Sequence, residues 1–309
     1  MTQDHDDNHD AGIPGPDEAR TLAHDLLATT QQECPGWNPP PFTPDLYARV
    51  LDIVVLRVDE NGPWDAMYIP QRERPRIVLN TRNASAGRVN FSLAHEIAHS
   101  LLDPAPSGTR YFRARTDYYD GSVATRKVER ACDEIAAELL MPGPWFREAI
   151  SRRGLCAQAV PVIAGDFGVS LEAAAARIAE TAETPCAVGF FHHTDPGGRT
   201  TNPPAASREW PVSEEESGSC WRTRRVFHSS GCPWRFRTAQ PVVADSVLMT
   251  TALTGRPGSA VEAFRLGRKW VALRVTTAAI GAYAGRAPRA VVGVFSPADS
   301  GGPGRPSAG

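Results

Sequence analysis

Apolar residues recur at helical spacing in some stretches of the chain and at strand spacing in others. Residues 16–30 carry Ala19, Leu22, Ala23, Leu26 and Leu27 at intervals of three and four, the stripe of an amphipathic helix, closed by a proline-rich run at 35–44. From residue 52 the texture shifts. Short β-rich runs at 53–58, 66–69 and 76–80, separated by Asn61-Gly62-Pro63 and a charged turn, predict a small sheet. A helix follows at 91–102, where Leu93, Ala94, Ile97, Ala98, Leu101 and Leu102 cover most of the circumference. Ser92, His95, Glu96, His99 and Asp103 are left as a narrow polar stripe on a rod otherwise built for burial, and Pro104 ends it. In 128–142, Val128, Ala131, Cys132, Ile135, Ala136 and Leu139 mark the core face of another amphipathic helix, with Glu129 and Asp133 flanking that face. Glu134 and Glu138 fall further round and read as solvated charges.

Beyond Pro144 the spacing predicts helices over 145–152 and 160–181, the latter split at Gly168-Val169-Ser170 with Ser170 as N-cap. The last third alternates at strand period. Runs 261–266 and 269–275 joined at Gly267-Arg268 predict a hairpin, and 187–191 and 291–295 add β-rich pieces to a domain read as mixed α/β. The expected architecture is α+β. It divides into a disordered N-terminus at 1–15, a core domain at 16–144, a helical module at 145–185, a C-terminal mixed α/β domain at 186–297, and a flexible tail at 298–309.

Composition narrows the function classes. A net charge of -2 over 309 residues argues against a protein that coats nucleic acid or an anionic membrane. The acidic start lacks the features of a secretion signal, no run is long enough to span a bilayer, and 6 scattered cysteines read as reduced thiols. The expected location is cytoplasmic.

Candidate chemistry centres on the polar stripe. His95 and His99, four residues apart on one helical face, can reach one metal ion, and Glu96 can address the water that ion holds. Buried imidazoles and a buried carboxylate need partners, and a cation supplies one; backbone carbonyls on two core histidines are the plain alternative. A catalytic zinc takes three protein ligands and keeps a fourth position for water. Glu129 on the second helix is the candidate third ligand. Asp133, one turn on, can accept a hydrogen bond from a metal-bound imidazole. Asp103, Asp117 and Asp120 rank below Glu129, which sits on a rigid helix.

The two blocks together resemble the gluzincin arrangement of thermolysin-like metallopeptidases and, more closely, the ImmA/IrrE family of bacterial metallopeptidases. That family's first block matches Asn90-Phe91-Ser92-Leu93-Ala94-His95-Glu96 with His99, and its second runs from Glu129 to Leu139-Leu140-Met141-Pro142. Ala98 stands where a glycine is common, Cys132 where alanine is and Ile135 where phenylalanine is, and the spacer at 107–127 is long. None of these removes a ligand. The resemblance implies a zincin-like metallopeptidase core at 16–144, a helix-turn-helix-like module at 145–185 and a sensor or partner-binding domain at 186–297, with one Zn2+ held by His95, His99 and Glu129, Glu96 as catalytic base, and a protein substrate that is a transcriptional repressor cut in response to stress or a mobile element.

Other features carry weaker expectations. Tyr111, Tyr118 and Tyr119 between the metal helices are candidate oxyanion stabilisers, or rings packed on a surface loop. The small sheet can align an extended peptide by strand addition. DNA reading by the helical module is disfavoured, because its second helix offers Arg177 against Glu172 and Glu180. His192-His193 and the Cys220, His228, Cys232 spacing match no common zinc module and read as ordinary side chains. Arg222, Arg224, Arg225, Arg235 and Arg237 interleave with Trp221, Phe227, Trp234 and Phe236, either as a basic aromatic patch or as strand residues alternating between core and solvent. The rival class is a regulatory DNA- or protein-binding protein with a structural or idle metal site.

Overall fold

The structure is a computed structural model that describes residues 13–71, 73–82, 84–102, 111–114, 123–194, 199–200, 220–266, 269–281 and 288–298. Residues 1–12 of the expected disordered start at 1–15, most of the expected tail, and Gly267-Arg268 lie outside the described residues. Two compact units are present, Met1–Trp145 with Ala164–Ala173 and Phe146–Ile163 with Ala174–Gly309.

In the first unit, α1 (Pro16–Glu33) and α2 (Pro44–Val50) precede a four-stranded sheet of β1 (Val54–Val58), β2 (Trp64–Ile69), β3 (Arg76–Asn80) and β4 (Tyr111–Ala114). The order is β1-β3-β2-β4, with β1 parallel to β3 and β2 antiparallel to both β3 and β4. The segment at 109–121, expected as a polar and aromatic connection, therefore contributes an edge strand. Helix α3 (Ala86–Leu102) packs on β2 and β3, and α4 (Val123–Leu140) packs on α3 and α1. The stripe that reads as polar in sequence is buried here: Ser92, His95, Glu96 and His99 lie inside together with Leu93, Ala94, Ile97 and Ala98.

Three contacts hold α3 in place. Arg88 in its first turn donates through Nε to Asp65 Oδ2 on β2 at 2.9 Å, an ion pair whose carboxylate is buried. Asn90 donates to the carbonyl of Gly168 at 2.9 Å, in a turn where Gly168 adopts φ +64. At Gly87 a Cβ would stand 2.5 Å from Ser170 N and 2.6 Å from Val169 C, so helix and turn backbones touch where only glycine fits. We expect Gly87→Ala to cost about 1–3 kcal/mol, read as a lowered melting temperature with His95, His99 and Glu129 untouched.

Behind α4, the Tyr47 hydroxyl donates to Leu139 O at 2.8 Å, wholly inside the unit, and burial pushes its phenol far above the ordinary value. Glu138, expected to be solvated, is instead 3% exposed. Its Oε1 accepts from the Gly143 backbone N–H at 2.8 Å and lies 2.9 Å from His24 Nε2. The neighbouring α1 and the start of α5 (Gly143–Arg153) supply partners that the spacing along α4 does not reveal. Glu134 accepts from Arg20 at 2.9 Å.

Next come α6 (Ala159–Phe167) and α7 (Leu171–Thr181), split at Gly168 as expected, with Ser170 Oγ accepting from Ala173 N at 3.1 Å. Arg177 is buried and pairs with Glu180 at 3.0 Å, which removes the cation that α7 offered to a phosphate.

The second unit is organised by a five-stranded antiparallel sheet in the order β6-β5-β9-β8-β7, formed by β5 (Ala187–Thr194), β6 (Cys220–His228), β7 (Gly258–Leu266), β8 (Lys269–Ile280) and β9 (Ala290–Pro297). The expected hairpin is β7–β8, with Leu266 opposite Lys269. Helix α8 (Val247–Thr254) covers one face and buries Leu248, Met249 and Ala252 against Phe191, Leu273, Val275, Val291 and Phe295. Trp221 and Trp234 point into this core while Arg224, Arg225, Arg235 and Arg237 stay exposed, so the basic aromatic run is an alternating strand and its continuation.

Candidate metal centre

Helix α3 sets His95 and His99 one turn apart, with ring centroids separated by 5.0 Å, and α4 brings Glu129 against both. His95 Nε2 is 3.0 Å from Glu129 Oε2, and His99 Nε2 is 3.4 Å from Glu129 Oε1. One carboxylate thus spans two imidazoles, an oxygen to each. Asp133 Oδ1 lies 2.9 Å from the other nitrogen of His95, Nδ1. His99 has its own counterpart on Nδ1, Cys132 Sγ at 3.4 Å. Glu96, next to His95 on α3, is 0% exposed, whereas the Glu129 and Asp133 side chains keep 16% and 56% exposure, so solvent reaches the cluster from the α4 side.

Electrostatics favour a cation here. Burial pushes the Glu129 carboxyl up, but hydrogen bonds to His95 and His99 and their charge outweigh it and hold the group well below the ordinary carboxylate range. Imidazole nitrogens this close to carboxylate oxygens need something positive between them: a proton on each Nε2, or a metal ion in their place. Two imidazoles and one carboxylate are donors that zinc accepts. The residues therefore fit such an ion.

In the sequence, Cys132 reads only as a core residue. Its ligand atom and those of His95 and His99 all lie within 4.8 Å of one another, and all three residues are buried. The signal available is positional, since Cys132 sits on the α4 face turned to α3. Among the described residues, no other group of three metal-ligating side chains gathers away from α3 and α4. Cys220, His228 and Cys232 do not converge: His228 Nε2 accepts from Phe236 N at 3.0 Å, and Cys232 donates to Trp234 O at 3.2 Å. His193 is buried edge-on to Trp221, and burial lowers its pKa. None of the six cysteines is in a disulfide. Tyr111 opens β4 opposite Tyr68, while Tyr118, Tyr119, Asp103, Asp117 and Asp120 lie outside the described residues.

A family model described as the IrrE N-terminal-like domain matches residues 48–179, a span that contains α3, α4 and every described member of the cluster. The sequence is 32% identical over 290 residues to the radiation response metalloprotease IrrE of Deinococcus radiodurans, covering 91% of this chain and 79% of that protein. This chain belongs to the ImmA/IrrE family. The IrrE of Deinococcus deserti is 30% identical over 138 residues, 44% of this chain and 46% of that protein. Among solved structures, a Mycobacterium tuberculosis transcriptional regulator superposes with a TM-score of 0.46 at 14% identity, covering 92% of this chain and 82% of that one. The resemblance expected from the two sequence blocks is thus correct. Membership in an IrrE-like metalloprotease family implies a metal and a protein substrate. Among the described residues, no single helix is long and apolar enough to cross a membrane.

Proposed function

We propose that this chain is a cytoplasmic zinc-dependent endopeptidase that cleaves a transcriptional repressor in a regulatory or stress response. The observation that carries the peptidase reading is the convergence of His95 Nε2 and His99 Nε2 on the two oxygens of Glu129. His95, His99 and Glu129 would hold the ion, and Glu96 is the base. A zinc bound there supplies Lewis acidity, which acidifies water and polarises a peptide carbonyl. Glu96 takes the proton from the attacking water and delivers it to the departing amine. Asp133 accepts from His95 Nδ1–H and fixes the tautomer that leaves Nε2 free to ligate.

Cys132 competes with Glu129 for the third place, and access decides between them. A catalytic site keeps one position open to water, and the exposed edge of the cluster is at Glu129 and Asp133, whereas Cys132 is wholly buried. His99 Nδ1 can then lean on Cys132 as His95 Nδ1 does on Asp133. Asp133→Ala is expected to weaken zinc binding about 10–100-fold, and Cys132→Ala about tenfold at most. Competition against a chromophoric chelator measures both. Complete loss of zinc in Cys132→Ala, with binding kept in Glu129→Ala, overturns the assignment.

The substrate class rests on family membership and on the repressor role that the resemblance implies. Its test is capture of proteins held by the Glu96→Gln chain, followed by exposure of each to the zinc-loaded wild type and mass spectrometry of the fragments. A captured repressor cut by the wild type and left whole by Glu96→Gln supports the proposal. Captured repressors that all stay whole overturn it.

A further inference from the structure

The second unit contains a cavity of about 440 Å³, within the size range of small-molecule sites, lying between the α8 face of the sheet and the segment that leads into α8. Its floor is aromatic. Phe236 packs on Phe295 with ring centroids 4.5 Å apart and meets Phe264 edge-on at 5.6 Å, and Phe191 continues the wall. At its mouth stand Trp270, 70% exposed, and Val243, 68% exposed. These are the two most exposed large apolar side chains among the described residues, and both border the same opening. Apolar side chains left in water around an apolar hole define a site that gains free energy when filled.

Three charged residues line the opening, and their placement selects the kind of occupant. Glu262 on β7 turns its Oε1 to the first backbone N–H of α8, Val247 N, at 2.6 Å. Ser246 Oγ accepts from Met249 N at 3.2 Å. Thr250 N donates to Ser246 O at 3.0 Å, so three donors in the first turn of α8 are occupied from within the chain, one of them by a carboxylate that repels an anion. Glu262, Asp245 and Arg265 all border the space, two carboxylates against one guanidinium, so the opening keeps a net negative charge. An anionic ligand meets negative charge and an aromatic floor, while an uncharged flat ring system meets only surfaces that it can stack on.

We propose that this cavity is a binding site for a small uncharged aromatic molecule, separate in its chemistry from the metal cluster. A matched pair of dyes tests this on the full chain. N-phenyl-1-naphthylamine is uncharged, and 8-anilinonaphthalene-1-sulfonate is the same ring system with a sulfonate added.

The uncharged dye is expected to bind one per chain with micromolar affinity, read by its fluorescence gain, and the sulfonate about tenfold or more weaker. Trp270→Ala removes an exposed side chain, so folding is not at stake, and should weaken the uncharged dye about tenfold. Phe264→Ala should do the same, with a melting curve confirming that it is folded. Glu262→Gln keeps an acceptor for Val247 N while removing the charge, and should narrow the gap between the dyes. The proposal is overturned if the uncharged dye shows no saturable binding, if the sulfonate binds equally well, or if Trp270→Ala leaves binding unchanged.

Discussion

Glu96→Gln is expected to keep zinc at wild-type stoichiometry while slowing peptide-bond cleavage by about 10²–10⁴-fold, the usual contribution of a positioned general base. The substitution is nearly isosteric at a wholly buried position, so packing around α3 is preserved and the change is confined to proton transfer. Metal content by mass spectrometry and single-turnover cleavage of a captured substrate separate the two effects. Equal cleavage by variant and wild type would remove Glu96 from the mechanism. Loss of metal along with activity would instead make it a ligand.

The other large effect is expected at Glu129. Removing its carboxylate leaves the two Nε2 atoms of imidazoles from one helix without the oxygens that face them, so Glu129→Ala should lose bound metal on dialysis. Its melting temperature should also stop responding to added zinc. In the wild type, zinc at a hundredfold excess over its dissociation constant should stabilise the folded chain by about 2.7 kcal/mol. A Glu129→Ala chain that keeps both its zinc and that thermal response would show that Cys132 or another group closes the ligand set.

Much of this site is legible in the amino-acid sequence. The polar stripe on α3 stands out because the residues around it are apolar, and Glu129 and Asp133 stand out because four residues place them on one side of α4. What escapes depends on contacts between segments distant in sequence. Glu138 has the spacing of a surface charge along its own helix, and His24 and Gly143 come from elsewhere in the chain. The approach of Cys132 to His99 has the same origin. Two short elements are hidden for local reasons. Strand β4 has only four residues at a sheet edge, and α8, Val247–Thr254, is rich in threonine and carries no polar face to define a stripe.

The hydroxyl of Tyr47 brings a behaviour of its own in alkali. Its proton is held between ring and carbonyl in a space that water does not enter, so the phenolate cannot form while the first unit stays closed. In the opened chain the same phenol releases its proton near the ordinary value of 10.0, and above that pH each further step favours the opened form. One of the six tyrosines is therefore a built-in optical reporter, whose phenolate absorption appears only when the helices behind the His95, His99 and Glu129 cluster come apart.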